Sequence, residues 1–122
     1  MKRVLIAEDD PAIRALVAEA VANEGYAVET AIDGHDALRR CSEFKPDVVV
    51  LDLQMPVLDG YEFLSRRGPE CTAPVVVISA TPRPEKLTPE LGVVAVVAKP
   101  FAVASFLAIL TGAIVSTGID AP

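Results

Sequence analysis

The chain has 122 residues, 52% hydrophobic and 23% charged, which is enough to bury one core and too few for two. A net charge of −6 with no basic arm argues against direct, nonspecific nucleic-acid binding. Cys41 and Cys71 have no CxxC spacing and no histidine-rich companion, so zinc is disfavoured and two reduced cytosolic thiols are expected.

Val4 to Ala7 reads as a short strand that ends in Glu8-Asp9-Asp10; that acidic break is too early for a signal peptide, and the chain is expected to be cytoplasmic. Asp10 can cap the following helix, with Pro11 in its first turn. Ile13, Leu16, Val17, Ala20 and Val21 recur at helical spacing until Gly25 stops the run. Tyr26 to Ala31 predicts a second strand and Asp33-Gly34 a turn. A second helix follows over His35 to Phe44, with Ala37, Leu38, Cys41 and Phe44 near one face and Lys45-Pro46 closing it. His35, the only histidine, reads as solvated near that helix start.

Val48 to Leu51 runs apolar without a break to Asp52. Such a run is the mark of a central parallel strand buried on both faces. Met55-Pro56 and Asp59-Gly60 then turn the chain away before a third helix over Tyr61 to Arg67. Val75 to Ile78 predicts a fourth strand ending in Ser79. Pro82, Pro84 and Pro89 interrupt the next crossover, so its helix is expected to be short or irregular. Val93 to Ala98 predicts a fifth strand, followed by Lys99-Pro100 and a final helix from Ala102 to about Ile119.

Strands alternating with helices imply an α/β fold: a five-stranded parallel sheet, doubly wound through right-handed crossovers. The polar candidates all fall at one edge of it. Glu8 and Asp9 end the first strand, Asp52 the third, Ser79 the fourth and Lys99 the fifth. Carboxylates that converge in a crevice repel one another, and a divalent cation relieves the repulsion. An all-oxygen site with room for water favours Mg2+. A carboxylate so neutralised is a competent nucleophile toward phosphorus.

Ile6-Ala7-Glu8-Asp9-Asp10-Pro11, Leu51-Asp52-Leu53-Gln54-Met55-Pro56 with Asp59-Gly60, Ser79-Ala80 and Lys99-Pro100-Phe101 occur in an order and spacing that resembles the receiver domain of two-component response regulators. The resemblance covers essentially all of residues 1–122 and implies a single receiver domain with the flavodoxin-like fold of chemotaxis regulators. By it, Asp52 would be the phosphoacceptor, served by a sensor histidine kinase or histidine phosphotransfer protein. Asp9 and Asp52 would hold Mg2+ through side chains, Gln54 through its backbone carbonyl and Glu8 through a water. Lys99 and Ser79 would contact the phosphoryl oxygens, and the Lys99–Pro100 peptide would be cis. The implied protein is no enzyme in the ordinary sense, since it would catalyse only its own phosphorylation and dephosphorylation. Gln54 and Thr81 would tune the lifetime of the phosphorylated state.

Two departures from the family pattern stand out. Val96 occupies the position where family members usually carry a switching aromatic ring, so the usual output route through that ring is not expected here. Pro100 through Ile119 carries no charge. An apolar helix of that kind predicts a covered outer face, and homodimerisation or a protein partner is expected, with Phe106 and Ile109 in the contact, rather than membrane insertion. Two other functions fit less well. The intact set of Glu8, Asp9, Asp52, Ser79 and Lys99 disfavours a phosphorylation-independent interaction module, which the proline-rich crossover and Val96 would otherwise allow. Gln54 disfavours an aspartate-nucleophile phosphatase, whose motif has a second Asp there.

Overall fold

A computed structural model describes residues 1–80, 87 and 89–116. The strands are β1 (Arg3–Ala7), β2 (Ala27–Ala31), β3 (Val48–Asp52), β4 (Val75–Ser79) and β5 (Val93–Ala98), all parallel in the order β2-β1-β3-β4-β5. The helices are α1 (Pro11–Asn23), α2 (Gly34–Phe44), α3 (Gly60–Arg66) and α4 (Val103–Ser116), with a 3-10 turn at Pro89–Leu91. This is the doubly wound, flavodoxin-like architecture, and the strand order reverses between β1 and β3. Most of the proline-interrupted crossover, including Thr81, lies outside the described residues, as does the expected helix beyond residue 116.

Alternation along β3 explains the two cores. Val49 and Leu51 face α2 and α3, where Ala37, Phe63 and Leu64 meet them; Val48 and Val50 face α1 and α4, where Val17, Val21, Phe106 and Leu110 meet them. Every residue of β3 is buried, as the unbroken apolar run requires. Local chemistry sets the helix starts. Asp10 Oδ1 accepts the N–H groups of Ala12 and Ile13, Asp33 accepts that of Asp36, and Asp59 accepts that of Glu62. His35 is exposed in the first turn of α2, as expected.

Two expectations are corrected. Cys41 and Cys71 are not separate thiols but a disulfide, with their Cα atoms 5.5 Å apart. Their separation of 30 residues hides the pairing, because only folding brings the inner face of α2 to the α3–β4 connection. Phe106, expected in an outer contact, is fully buried beneath α4, its ring centroid 5.5 Å from that of Phe101 and tilted 39° to it. The apolar character of α4 is spent mainly on the sheet: Phe106, Leu110, Ala113 and Ile114 face inward, while Ala104, Ser105, Ala108, Thr111 and Gly112 face out with Ile109 and Val115.

Candidate functional site

The reversal between β1 and β3 opens a crevice beyond the carboxyl ends of the strands, the usual ligand position in open α/β sheets. Asp52 ends β3 there and Glu8 and Asp9 follow β1. One carboxylate oxygen from each of these three residues lies within 4.8 Å of the others. Glu8 is fully buried and Asp52 nearly so, whereas Asp9 is exposed. The set is therefore an acidic crevice open on one side.

The turn after Asp52 is held by tight packing. Gln54 N–H donates to Asp52 Oδ1 at 3.0 Å, and Gly60 N–H returns to the Leu53 carbonyl at 3.0 Å. A Cβ on Gly60 would lie 2.6 Å from the Asp52 carbonyl oxygen, so α3 starts at this distance only because residue 60 has no side chain. Val57, in the same turn, has φ 68° and is exposed, a left-handed conformation unfavourable for a β-branched residue.

Lys99 enters from beyond β5, preceding a cis peptide to Pro100, as the resemblance implied. Its ammonium pairs with Glu8 Oε1 at 2.7 Å and with Asp52 Oδ2 at 3.1 Å. Burial acts to lower the Lys99 pKa, but contacts with Glu8 and Asp52 outweigh it and raise the value. Burial pushes the Glu8 carboxyl up to about 7, reinforced by contact with Asp52 and opposed by Lys99. Two buried acids and one cation thus share a pocket that is one positive charge short of neutrality when both acids are ionised.

Ser79 is buried at the end of β4, beside Ala98 of β5, and its carbonyl accepts the Lys99 N–H at 2.9 Å. The sequence-predicted residues Glu8, Asp9, Asp52, Gln54, Ser79 and Lys99 thus occupy one edge of the sheet. Sequence reasoning missed Arg14, whose guanidinium donates to the carbonyls of Glu8 at 2.9 Å and Asp9 at 3.2 Å. Its only signal is its place one helical turn after the Asp10 cap. The direct Glu8–Lys99 pair was also missed, because Lys99 was assigned to phosphoryl oxygens alone. The donor set fits a hard divalent cation: three clustered carboxylates, two of them buried, carry more negative charge than Lys99 offsets.

A parallel, doubly wound sheet with its acids at the strand-order reversal and a lysine across from them defines the receiver class of α/β proteins. A family model described as the response regulator receiver domain matches residues 4–111, and the chain belongs to that family. It is 43% identical over 79 residues to the transcriptional regulatory protein PrrA of Mycobacterium leprae, covering 64% of this chain and 34% of that one. It is 39% identical over 116 residues to the transcriptional regulatory protein KdpE of Mycobacterium tuberculosis, covering 93% of this chain and 51% of that one. The chain thus spans about a third to a half of the curated relatives' length. Chemotaxis protein CheY4 of Vibrio cholerae has a similar structure, with a TM-score of 0.82 at 32% identity, covering 93% of this chain and 98% of that one.

Proposed function

We propose that Asp52 is a phosphoacceptor, taking a phosphoryl group from a sensor histidine kinase or histidine phosphotransfer protein and thereby switching protein contacts. The observation that carries this reading is the convergence of Asp52, Glu8 and Asp9 within 4.8 Å, with the Lys99 ammonium 3.1 Å from Asp52. A carboxylate oxygen of Asp52 attacks phosphorus, the O–P bond forms, and the phosphorus–nitrogen bond to the donor imidazole breaks. Asp9, Asp52, the Gln54 carbonyl and, through a water, Glu8 would hold Mg2+, which when bound supplies positive charge for the phosphoryl oxygens. Lys99 exchanges part of its contact with Asp52 for a phosphoryl oxygen, and the Ser79 hydroxyl donates to another. Arg14 keeps the Glu8-Asp9 turn in place from behind.

The resulting acyl phosphate is lost to water, so the chain's only chemistry in this reading is on itself. Gln54 and Thr81, which flank the site in sequence, are assigned to tuning that loss. Val96 lies exposed on β5 with no ring to move, so output is assigned to backbone shifts around Ser79 and the β4–β5 crossover. Contact with a second copy or a partner protein is assigned to the outward face of α4 around Ile109 and Val115, both exposed. Among the described residues no helix is long and apolar enough to cross a membrane. We further assign the protein to the cytoplasm and residues 1–122 to one receiver domain. With a net charge of −6, the transcriptional role in the relatives' names is assigned to what this receiver contacts rather than to its own surface.

Incubation with an acyl phosphate and Mg2+, followed by intact mass, tests the reading. One phosphoryl adduct that requires Mg2+ and is absent from Asp52→Asn is expected. Folded protein that gains no adduct would move the assignment to a phosphorylation-independent interaction module.

A further inference from the structure

The Cys41–Cys71 bond lies on the flank of the sheet away from α1 and α4, and the proposed phosphoryl chemistry makes no use of it. It joins the inner face of α2 to the α3–β4 connection and closes a ring over residues 41 to 71, which contains β3, Asp52, Gln54 and the whole of α3. We propose that Cys41 and Cys71 form a reversible thiol–disulfide site that fastens α2 to the α3–β4 connection when oxidised and releases them when reduced.

Two observations and one consequence of the proposed location support reversibility. First, the cover over the bond is thin. Cys41 is fully buried and Cys71 nearly so, but Cys71 sits in a connection in which Gly68, Pro69, Glu70 and Thr72 are exposed. That connection is held by a turn bond from Cys71 N–H to the Gly68 carbonyl at 3.0 Å and by the Arg67 guanidinium, which donates to the Ala73 carbonyl at 2.6 Å, so local opening there is the route by which the Cys71 sulfur meets solvent. Second, the grooves beside the pair hold three cations, Lys45, Arg66 and Arg67, against two acids, Asp47 and Glu70; a net positive charge near a sulfur favours the thiolate that exchange requires. Third, in a cytoplasmic protein, as proposed above, disulfides are mostly transient or redox-sensing rather than permanent.

The exchange balances with a low-molecular-weight disulfide as oxidant. The Cys71 thiolate attacks it and expels one small thiolate, leaving a mixed disulfide. The Cys41 thiolate then attacks the Cys71 sulfur and expels the second small thiolate. Two protons leave the protein, its two thiols are oxidised, and the small disulfide is reduced to two thiols. A dithiol reverses the sequence: one of its thiolates attacks the Cys71 sulfur and expels the Cys41 thiolate, and its second thiol then closes the reductant into a cyclic disulfide and expels the Cys71 thiolate.

The test uses the full chain in glutathione disulfide or in dithiothreitol, followed by maleimide trapping and intact mass without denaturing the protein before the redox step. After glutathione disulfide, no maleimide addition and a mass about 2 Da below the dithiol form are expected. After dithiothreitol, two maleimides should add once the trapped protein is unfolded. The oxidised chain should unfold about 10 °C higher than the reduced one, because the closed ring restricts the unfolded chain. Amide exchange at Lys45 and Cys71 should quicken on reduction, and Cys71→Ser should match the reduced wild type in both oxidant and reductant. Two trappable thiols after glutathione disulfide would overturn the proposal. So would a bond that dithiothreitol opens only in denaturant, since that would be a permanent staple. None of these readings involves phosphorylation, so failure at Asp52 and failure at the cysteines are separately visible.

Discussion

β3 and β5 both deliver a residue to the acidic crevice, yet they are built differently. β3 is buried at every position and lies between β1 and β4; β5 is the sheet edge, with Val94 43% and Val96 40% exposed. The difference separates what is fixed from what can shift. Asp52 is held by a strand packed on both faces and by the close approach of Gly60, while Lys99 follows a strand with one open side. An edge strand under a thin cover is where a domain opens first.

Substitution in the two strands should show that asymmetry at its largest. Leu51→Ala removes a fully buried side chain next to Asp52 and should cost about 3 kcal/mol in denaturant unfolding. Val96→Ala should cost less than about 1 kcal/mol in the same measurement, since half-open surface leaves little cavity. Equal losses would mean that β5 is as firmly packed as β3.

Lys99→Ala breaks the comparison at the site itself. Without the ammonium, Glu8 and Asp52 face one another buried and unpaired, so the metal-free chain should lose about 2 kcal/mol, and added Mg2+ should recover part of it. Urea titrations with and without Mg2+ measure both effects. The same buried acid should make stability depend on pH. The Glu8 pKa is raised from 4.5 to about 7, so between those values the folded chain binds more protons than the unfolded chain. In chelator, this group's stabilisation is present below about pH 4.5 and is lost as pH rises through about 7. Glu8→Gln should flatten that part of the unfolding profile. The smallest effect tests the edge alone: Val96→Thr should change stability by less than about 0.5 kcal/mol.

The order of these elements was readable along the chain. The bounds of β5, the Asp10 cap and the convergence of Glu8, Asp52, Ser79 and Lys99 at one sheet edge all follow from short-range pattern, because period, caps and prolines act within a few residues. The site's internal pairing was not readable. That Lys99 binds Glu8 as well as Asp52, and that Arg14 braces the acidic turn, depends on distances between elements. The outer face of α4 was misread for a related reason. Composition shows that a helix is apolar but not which of its residues the sheet consumes, and Phe106 is consumed.

The sequence by itself determined the alternation of strands and helices, the parallel sheet it implies and the strand ends at which polar residues emerge. Hydrophobic period and turn chemistry are local, and local signals survive in a linear text. Tertiary structure alone decided that Cys41 meets Cys71, that Glu8 is sealed from water with a pKa near 7, and that β5 stays half open. Each of these is set by which surfaces meet across the sheet, and burial and pairing energies depend on that meeting rather than on neighbours in the chain.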